Sequence, residues 1–527
     1  MKRIGLVFGL AFLWVWGLAF SAYGFAPLLD GKLSISGYLQ NQSSYRTGGE
    51  GAGLVSSENR LQVEVDAKVH QNVSVYGVFR GIYDAAYDLR SGSDSWNRNY
   101  AGSRDILQNE YSLRELYTDI SLGRWDFRIG KQQVVWGETD GLRLMDMVNP
   151  LDMRRQFSSR DWEDIRIPLT MVKATYGIDT MHNTFLELLW NPGDVRRDKI
   201  YADTTMSEDY RSPWTIPNSP ASLQIQGLRS PNSLAPWVSV PTSVEVGEED
   251  TPSWINVNKS EFGGRLGGEL GGWFATLNYW QGFSKTPVVK ADLSPLSPAL
   301  GYMATAAPPP PWGPPPFPGT FDQAVFDSLL PPLPVNFRFE YPRERVIGFT
   351  FNKATGMWVW RGEFATRLDK HYNKTEFPFG PLGLPNIVIA ERTVQSSMLG
   401  FDYKTWIPLL NPEKMWFISG QVFYDHIFGY DKELTDGPYS QKCREDSLAF
   451  SLMINTEYHM GRICPEILTV YHAATTGWYL KPRVEFKYGD HWRPEIGGLV
   501  YIGDQYELPF GAVKDNDEIY IRLKYQF

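Results

Sequence analysis

At 527 residues the chain is longer than one typical compact core, so either several soluble domains or one large closed sheet must account for it. Aromatic residues at 14%, charged residues at 21% and a mean hydropathy of −0.32 exclude a helical membrane bundle, in which every span needs an apolar run of about 20 residues. A formal net charge of −9 and a pI near 5.5 speak against nucleic-acid partners, because an acidic surface repels phosphates.

The one long apolar run lies at the start. Met1-Lys2-Arg3, the stretch from Ile4 to Phe20, and Ser21-Ala22-Tyr23-Gly24 follow the charged, apolar and small-residue order of a secretory signal. Cleavage is placed near Gly24, leaving 25–527 as a single domain. The apolar part is slightly long, so an uncleaved anchor is the alternative; either way the chain is exported. The first strand candidate, Leu33 to Ser44, follows almost directly, which leaves no N-terminal plug domain and weighs against a TonB-dependent receptor.

Downstream, segments of about ten residues alternate apolar and polar, the period of a strand with one face in lipid and one in a polar lumen. Leu61, Val63, Val65, Ala67 and Val69 oppose Gln62, Glu64, Asp66 and Lys68, and Trp125, Phe127 and Ile129 oppose Arg124, Asp126 and Arg128. Trp358, Trp360 and Phe364 oppose Val359, Arg361 and Glu363; Leu448, Phe450, Leu452 and Ile454 oppose Ala449, Ser451, Met453 and Asn455. Trp478, Leu480, Val484 and Phe486 oppose Lys481, Arg483, Glu485 and Lys487. In the last segment Ile519, Ile521, Leu523, Tyr525 and Phe527 oppose Glu518, Tyr520, Arg522, Lys524 and Gln526. Such alternation ending on Tyr525 and the terminal Phe527 resembles the signal by which the barrel-assembly machinery recognises outer-membrane barrels.

Short turns are predicted near Asn72, Gly123, Asp179, Gly271, Thr355, Gly461 and Asp490, and long loops at 84–110, 138–168, 191–259, 282–342, 367–390 and 425–446. This alternation predicts an all-β, transmembrane, up-and-down antiparallel β-barrel of about 18 strands, with 16 the competing count. It would sit among the lipids of a Gram-negative outer membrane with both termini in the periplasm. Cys443 and Cys464 are separated by about a dozen strand residues, roughly 40 Å of extended chain against the ~7 Å that a disulfide tolerates, so no bridge is predicted. No CxxCH motif attaches a haem, and the seven His are scattered without ligand spacing, so neither cofactor nor metal is expected.

One segment departs from simple alternation. Gly130-Lys131-Gln132-Gln133, Trp136-Gly137-Glu138-Thr139-Asp140 and Asn149-Pro150-Leu151-Asp152 follow a strand that carries Arg124, Asp126, Arg128 and, by this reading, Lys131 toward the lumen. The loop after it is dense in Glu138, Asp140, Arg143, Asp146, Asp152, Arg154 and Arg155. Opposite charges at this density pair, so the loop 138–168 is predicted to fold inward as a constriction, the alternative being a clamp that only pins an outer loop. The order Gly-Lys-Gln, Trp-Gly-Glu-x-Asp and Asn-Pro-Leu-Asp, with the barrel-like C-terminus, resembles a proteobacterial outer-membrane family of unknown function. That resemblance implies an association with resistance-nodulation-division transporters and a periplasmic or lipoprotein partner, hence movement of hydrophobic compounds through the envelope. It supplies no catalytic residues.

The run Ala306 to Pro318, with Trp312 and Phe317 among its prolines, forbids strand pairing and reads as a polyproline II spacer in a loop. Among residues assigned inward, basic Lys68, Arg80, Arg124, Arg128, Arg361, Arg367, Lys481, Arg483 and Lys487 outnumber acidic Glu64, Asp66, Asp126, Glu363 and Glu485, which suggests an anion-tolerant lumen. A barrel of this size favours a channel or transporter for small solutes. Two other classes compete: a sleeve around an envelope partner, and an outer-membrane hydrolase with His459 or His472 as base.

Overall fold

The computed structural model describes residues 31–49, 52–90, 103–155, 159–199, 213–214, 244–246, 256–291, 323–329, 335–379, 384–436 and 441–527. The predicted signal at 1–24, the proline-rich run and most of the loops 191–259 and 282–342 lie outside them. Eighteen long strands form the wall. In chain order they are β1 (Leu33–Arg46), β2 (Gly53–His70), β3 (Val73–Asp84), β4 (Asn109–Leu122), β5 (Trp125–Gln132) and β6 (Leu169–Asp179). Next come β7 (Thr184–Asn191), β8 (Glu261–Leu270), β9 (Trp273–Phe283), β10 (Arg343–Thr355), β11 (Trp358–Phe379) and β12 (Leu384–Thr405). The last six are β13 (Trp416–Phe428), β14 (Asp446–Asn455), β15 (Ile463–His472), β16 (Gly477–Phe486), β17 (Trp492–Ile502) and β18 (Glu518–Gln526).

Each strand pairs antiparallel with the next, and β18 returns to β1 with Tyr38 opposite Gln526 and Arg46 opposite Glu518, so the sheet is a closed barrel without an open edge. Among the described residues no helix is long and apolar enough to cross a membrane.

The side chains are arranged inside-out relative to a water-soluble sheet. On β18, Ile519 and Ile521 are 52% and 60% exposed, whereas Tyr520 and Arg522 beside them are 1% and 9% exposed. Leu277, Ile347, Phe349, Leu399 and Val422 continue the exposed apolar belt, while Gln42, Arg60, Glu187, Asn278 and Gln421 are buried within the barrel. Only a hydrocarbon exterior makes both choices favourable at once. At the short-turn end aromatic rings meet along the outer surface: Trp125 tilted against Tyr176 at 4.9 Å, Trp358 stacked on Tyr403 at 4.1 Å and Trp492 edge-on to Tyr525 at 4.9 Å. They form the girdle expected where hydrocarbon meets headgroups.

Several connections differ from the sequence reading. Residues 367–390 are not an open loop, because β11 and β12 continue as a paired ribbon with register shifts at Arg367/Lys370 and Glu376/Phe379. Charges on both faces there hide the apolar period, although the backbone ladder is uninterrupted. The turn between Thr405 and Trp416 was not predicted; Asn411 organises it, accepting from the Glu413 and Lys414 amides at 2.9 and 3.1 Å and donating to Thr456 at 2.8 Å. At the long-loop end, the connections 47–52 and 473–476 are short.

Cys443 lies at the long-loop end and Cys464 near the short-turn end, and both are free thiols. Protein purified without reductant and then unfolded should therefore take up two maleimide equivalents, measured by intact mass. Uptake of none, with a mobility shift on reduction, would contradict this arrangement.

Candidate functional site: a segment folded across the lumen

Between β5 and β6 the chain leaves the wall and runs inside the barrel. Asn149 ties its two ends together: its Oδ1 accepts from the Val134 amide at 2.7 Å, and its Nδ2 donates to the Ile167 carbonyl at 2.9 Å. From this base the segment touches strands almost all the way round. Trp136 donates from Nε1 to Glu187 of β7 at 2.8 Å and meets Trp280 of β9 edge-on with 6.2 Å between ring centroids. The Glu138 and Met145 amides both donate to the Glu363 carboxylate of β11. Arg361, also on β11, donates to the Glu138 carbonyl and to Asp140 Oδ2, both at 2.6 Å. Asp140 accepts further from Ser419 and Gln421 of β13 at 2.8 and 2.9 Å. On the opposite side Asp164, in the short helix Trp162–Ile165, pairs with Arg60 of β2 at 2.5 Å and Arg80 of β3 at 2.6 Å. Arg522 of β18 donates to the Ser159 carbonyl at 2.6 Å, and Gln42 of β1 donates to the Ser159 hydroxyl at 2.9 Å.

An apolar core completes the seat. Val134, Trp136, Leu144, Met145, Met147 and Val148 of the segment pack against Leu169, Met171, Leu189, Trp280, Val346, Met398 and Phe423 of the wall. Glycines admit this close packing. A Cβ on Gly348 would lie 2.3 Å from the Met145 methyl, and one on Gly137 would lie 2.8 Å from the Asp146 amide nitrogen and 3.2 Å from the Glu363 carboxylate. The Trp-Gly-Glu-x-Asp motif thus describes a chain that must approach a wall carboxylate closely, offer an amide to it and then present Asp140 to Arg361.

Beside the segment lies a cavity of about 1030 Å³. Leu142 and Met147 of the segment line it together with Trp280, Val394, Val470 and Phe510. Phe510 comes from the connection 503–517, which also turns inward, stacking on Tyr479 with centroids 5.8 Å apart. Among the described residues no group of three or more His, Cys, Asp or Glu side chains is placed to hold a metal ion.

A family described as "Protein of unknown function (DUF1302)" matches residues 40–527. The chain belongs to that family. No curated protein matches the sequence. Among solved structures, Acinetobacter baumannii OccAB1 is 9% identical with a TM-score of 0.44, the match covering 96% of this chain and 98% of that one. Pseudomonas aeruginosa OccK2 (OpdF), solved in complex with glucuronate, is 6% identical with a TM-score of 0.44, covering 94% and 97% of the two chains. Salmonella typhi OmpF, solved with daunomycin, is 8% identical with a TM-score of 0.38, covering 94% and 97%. Likeness at this level extends to the barrel and no further.

Within this DUF1302 barrel the residues singled out from sequence have different fates. Arg80, Trp136, Glu138, Asp140 and Arg361 meet in the contacts above. Arg128 faces the lumen and pairs with Asp119 at 2.7 Å beneath Tyr117. Asp152 and Arg154 pair with each other at 2.6 Å, and Arg155 donates to the Leu107 carbonyl at 2.6 Å while reaching Glu58 at 3.6 Å. Arg483 pairs with Glu466 at 2.8 Å and Glu495 at 3.4 Å, both on the wall.

Three assignments need correction. Arg124 sits exposed in the turn before β5, and Asp126 lies at the rim of the same end, where Ser121 donates to it at 2.6 Å. Lys131 faces outward opposite Leu116 and donates to the Leu113 carbonyl at 2.6 Å, because strict alternation continues through Gly130. The inward charge count was incomplete on both sides: Glu58, Glu187, Glu466, Glu495, Glu518 and Asp402 were left out of it, and so were Arg46, Arg60, Arg265 and Arg522, so that inward acids and bases largely pair with one another. Asp164 and Ser159 were not singled out from sequence, and Glu363 and Asn149 were named only as an inward acid and as part of a motif; for Asp164 the available signal was its place in a charged loop.

Burial alone would raise the Asp164 carboxyl, but the Arg60 and Arg80 guanidiniums overcome this and hold it well below the usual carboxylate range. A depressed folded value stabilises the seated segment fully above the unfolded value of about 4 and loses that contribution only as pH falls through the folded one. Protection of the segment from protease should accordingly be unchanged between pH 7.5 and about 5. Replacing Arg361 by Ala strands the Asp140 and Asp402 carboxylates, at a cost of about 3 kcal/mol. Cleavage within 138–168 by added protease should then accelerate at least about tenfold, read by mass spectrometry on a barrel that keeps its heat-modifiable gel mobility.

Proposed function

We propose that the protein is an outer-membrane channel or transporter for small solutes, kept shut by residues 133–168 and opened when that segment leaves its seat. The observation that carries this reading is the segment itself. It spans the lumen through reversible contacts, an apolar core and ion pairs with several strands, and it borders a cavity large enough for a small molecule. Hydrophobic compounds are the first solute class to test, since the cavity wall is rich in aliphatic and aromatic side chains. In this reading the export signal is removed, the short-turn end and both termini face the periplasm, and the long-loop end faces outward. A resistance-nodulation-division transporter with a periplasmic or lipoprotein partner would then meet the short-turn face.

Passage is favoured over the other two classes by specific observations. A sleeve needs a wide free lumen, whereas this one is occupied by its own chain. A hydrolase needs an oriented base: His472 Nε2 lies 3.0 Å from the Ser447 hydroxyl, but its Nδ1 faces the Thr475 hydroxyl at 2.8 Å rather than a carboxylate. His459 sits in the turn between β14 and β15.

Planar-bilayer recording tests the proposal. Wild-type protein should be silent or show brief small openings, and a variant lacking Glu138 to Pro168 should give sustained large ones. Steady porin-like current from the wild type, or a correctly folded deletion variant that never conducts, would sink the gated-passage reading.

A further inference from the structure

Lys481 is an anomaly on the cavity wall. It points inward from β16 and is only 7% exposed, yet among the described residues no carboxylate lies within 4.0 Å of its amine and no hydrogen bond satisfies it. Its inward cationic neighbours are treated differently. Arg483 is held by Glu466 and Glu495, and Arg522 by Glu495, Gln42 and the Ser159 carbonyl. Asp161 of the luminal segment lines the same cavity but makes no ion pair with Lys481. A buried ammonium with no carboxylate in contact, Asp161 and Glu495 acting on it only from a distance, is costly, and here the cost is taken on beside a space that a ligand can enter.

The surroundings of the amine restrict what that ligand can be. Leu468 is its direct cross-strand neighbour, and Val470, Tyr479, Tyr501 and Phe510 form an apolar cluster next to it that also borders the cavity. A cation beside an aromatic and aliphatic wall matches an anionic group on an apolar body, and a neutral hydrocarbon would leave the ammonium uncompensated. We propose that this cavity binds an amphipathic monocarboxylate, its carboxylate on the Lys481 amine and its apolar chain along Leu468, Val470, Tyr479 and Phe510. The inference deepens the passage reading by naming a solute class, and its physiological meaning rests on that reading.

Equilibrium binding tests it without requiring flux. Full-length protein in lipid nanodiscs would be titrated with radiolabelled decanoate, with empty nanodiscs subtracted and unlabelled decanol as a competitor. Saturable binding of one decanoate per barrel is expected, with decanol competing weakly. Lys481→Met should weaken binding on the order of ten- to a hundredfold, the loss of one charge-assisted hydrogen bond, and Lys481→Arg should largely restore it. Heat-modifiable mobility confirms that each variant is folded. Unchanged affinity in the Met variant, or no saturable binding to folded wild type, overturns the proposal. If the deletion variant fails to conduct but Lys481-dependent binding persists, the passage reading falls and the binding site stands.

Discussion

A peptide group in hydrocarbon has no water to bond to, and the rest of this structure follows from that constraint. Each unpaired amide or carbonyl would cost several kcal/mol, so a sheet that enters lipid must close. Closure is achieved where β18 meets β1, through the ladder that runs from Tyr38 and Gln526 to Arg46 and Glu518. Once it is made, the alternation of side chains divides the molecule into two environments. Apolar residues go outward because lipid is there, and Gln, Glu and Arg go inward because the lumen is the only place left that can satisfy them.

A wall built in this way has polar side chains to satisfy, and eighteen strands enclose too much space for them to satisfy one another across the centre. The segment between β5 and β6 answers that need. It brings backbone amides to Glu363, a carboxylate to Arg361 and another to Arg60 and Arg80, and between these anchors it inserts an apolar core where Trp280, Met398 and Phe423 interrupt the polar lining. The ion pairs add specificity of position more than net stability, because their desolvation offsets much of their attraction. The packing of Met145 against Gly348 supplies a shape match that a shifted segment would lose.

What could be read from the sequence follows the same division. The period of two marks the membrane strands plainly wherever one face is hydrocarbon, which is why β18 and β5 are legible. The rule fades above the membrane, where the ribbon of β11 and β12 carries charges on both faces and resembles a loop. The inward segment was legible as a dense run of charge with a Gly and Asn-Pro pattern, but its partners were not. Glu363 lies 225 residues from Glu138 and Arg60 lies 104 residues from Asp164, and only register and closure bring each pair together. Lys481 was legible as an inward cation, whereas its lack of a partner depends on which carboxylates Arg483 and Arg522 have already taken.

The bracket formed by Asn149 has a mechanical consequence. Because one side-chain amide joins the strand-proximal stretches near Val134 and Ile167, the intervening chain hangs from the wall as a closed loop with a narrow neck. Force applied to its tip is taken up at that neck before it reaches the ladder of β5 and β6. Wall and inner segment are therefore separable modules, and the interior of the segment can be exchanged or reshaped while the cylinder around it keeps its register.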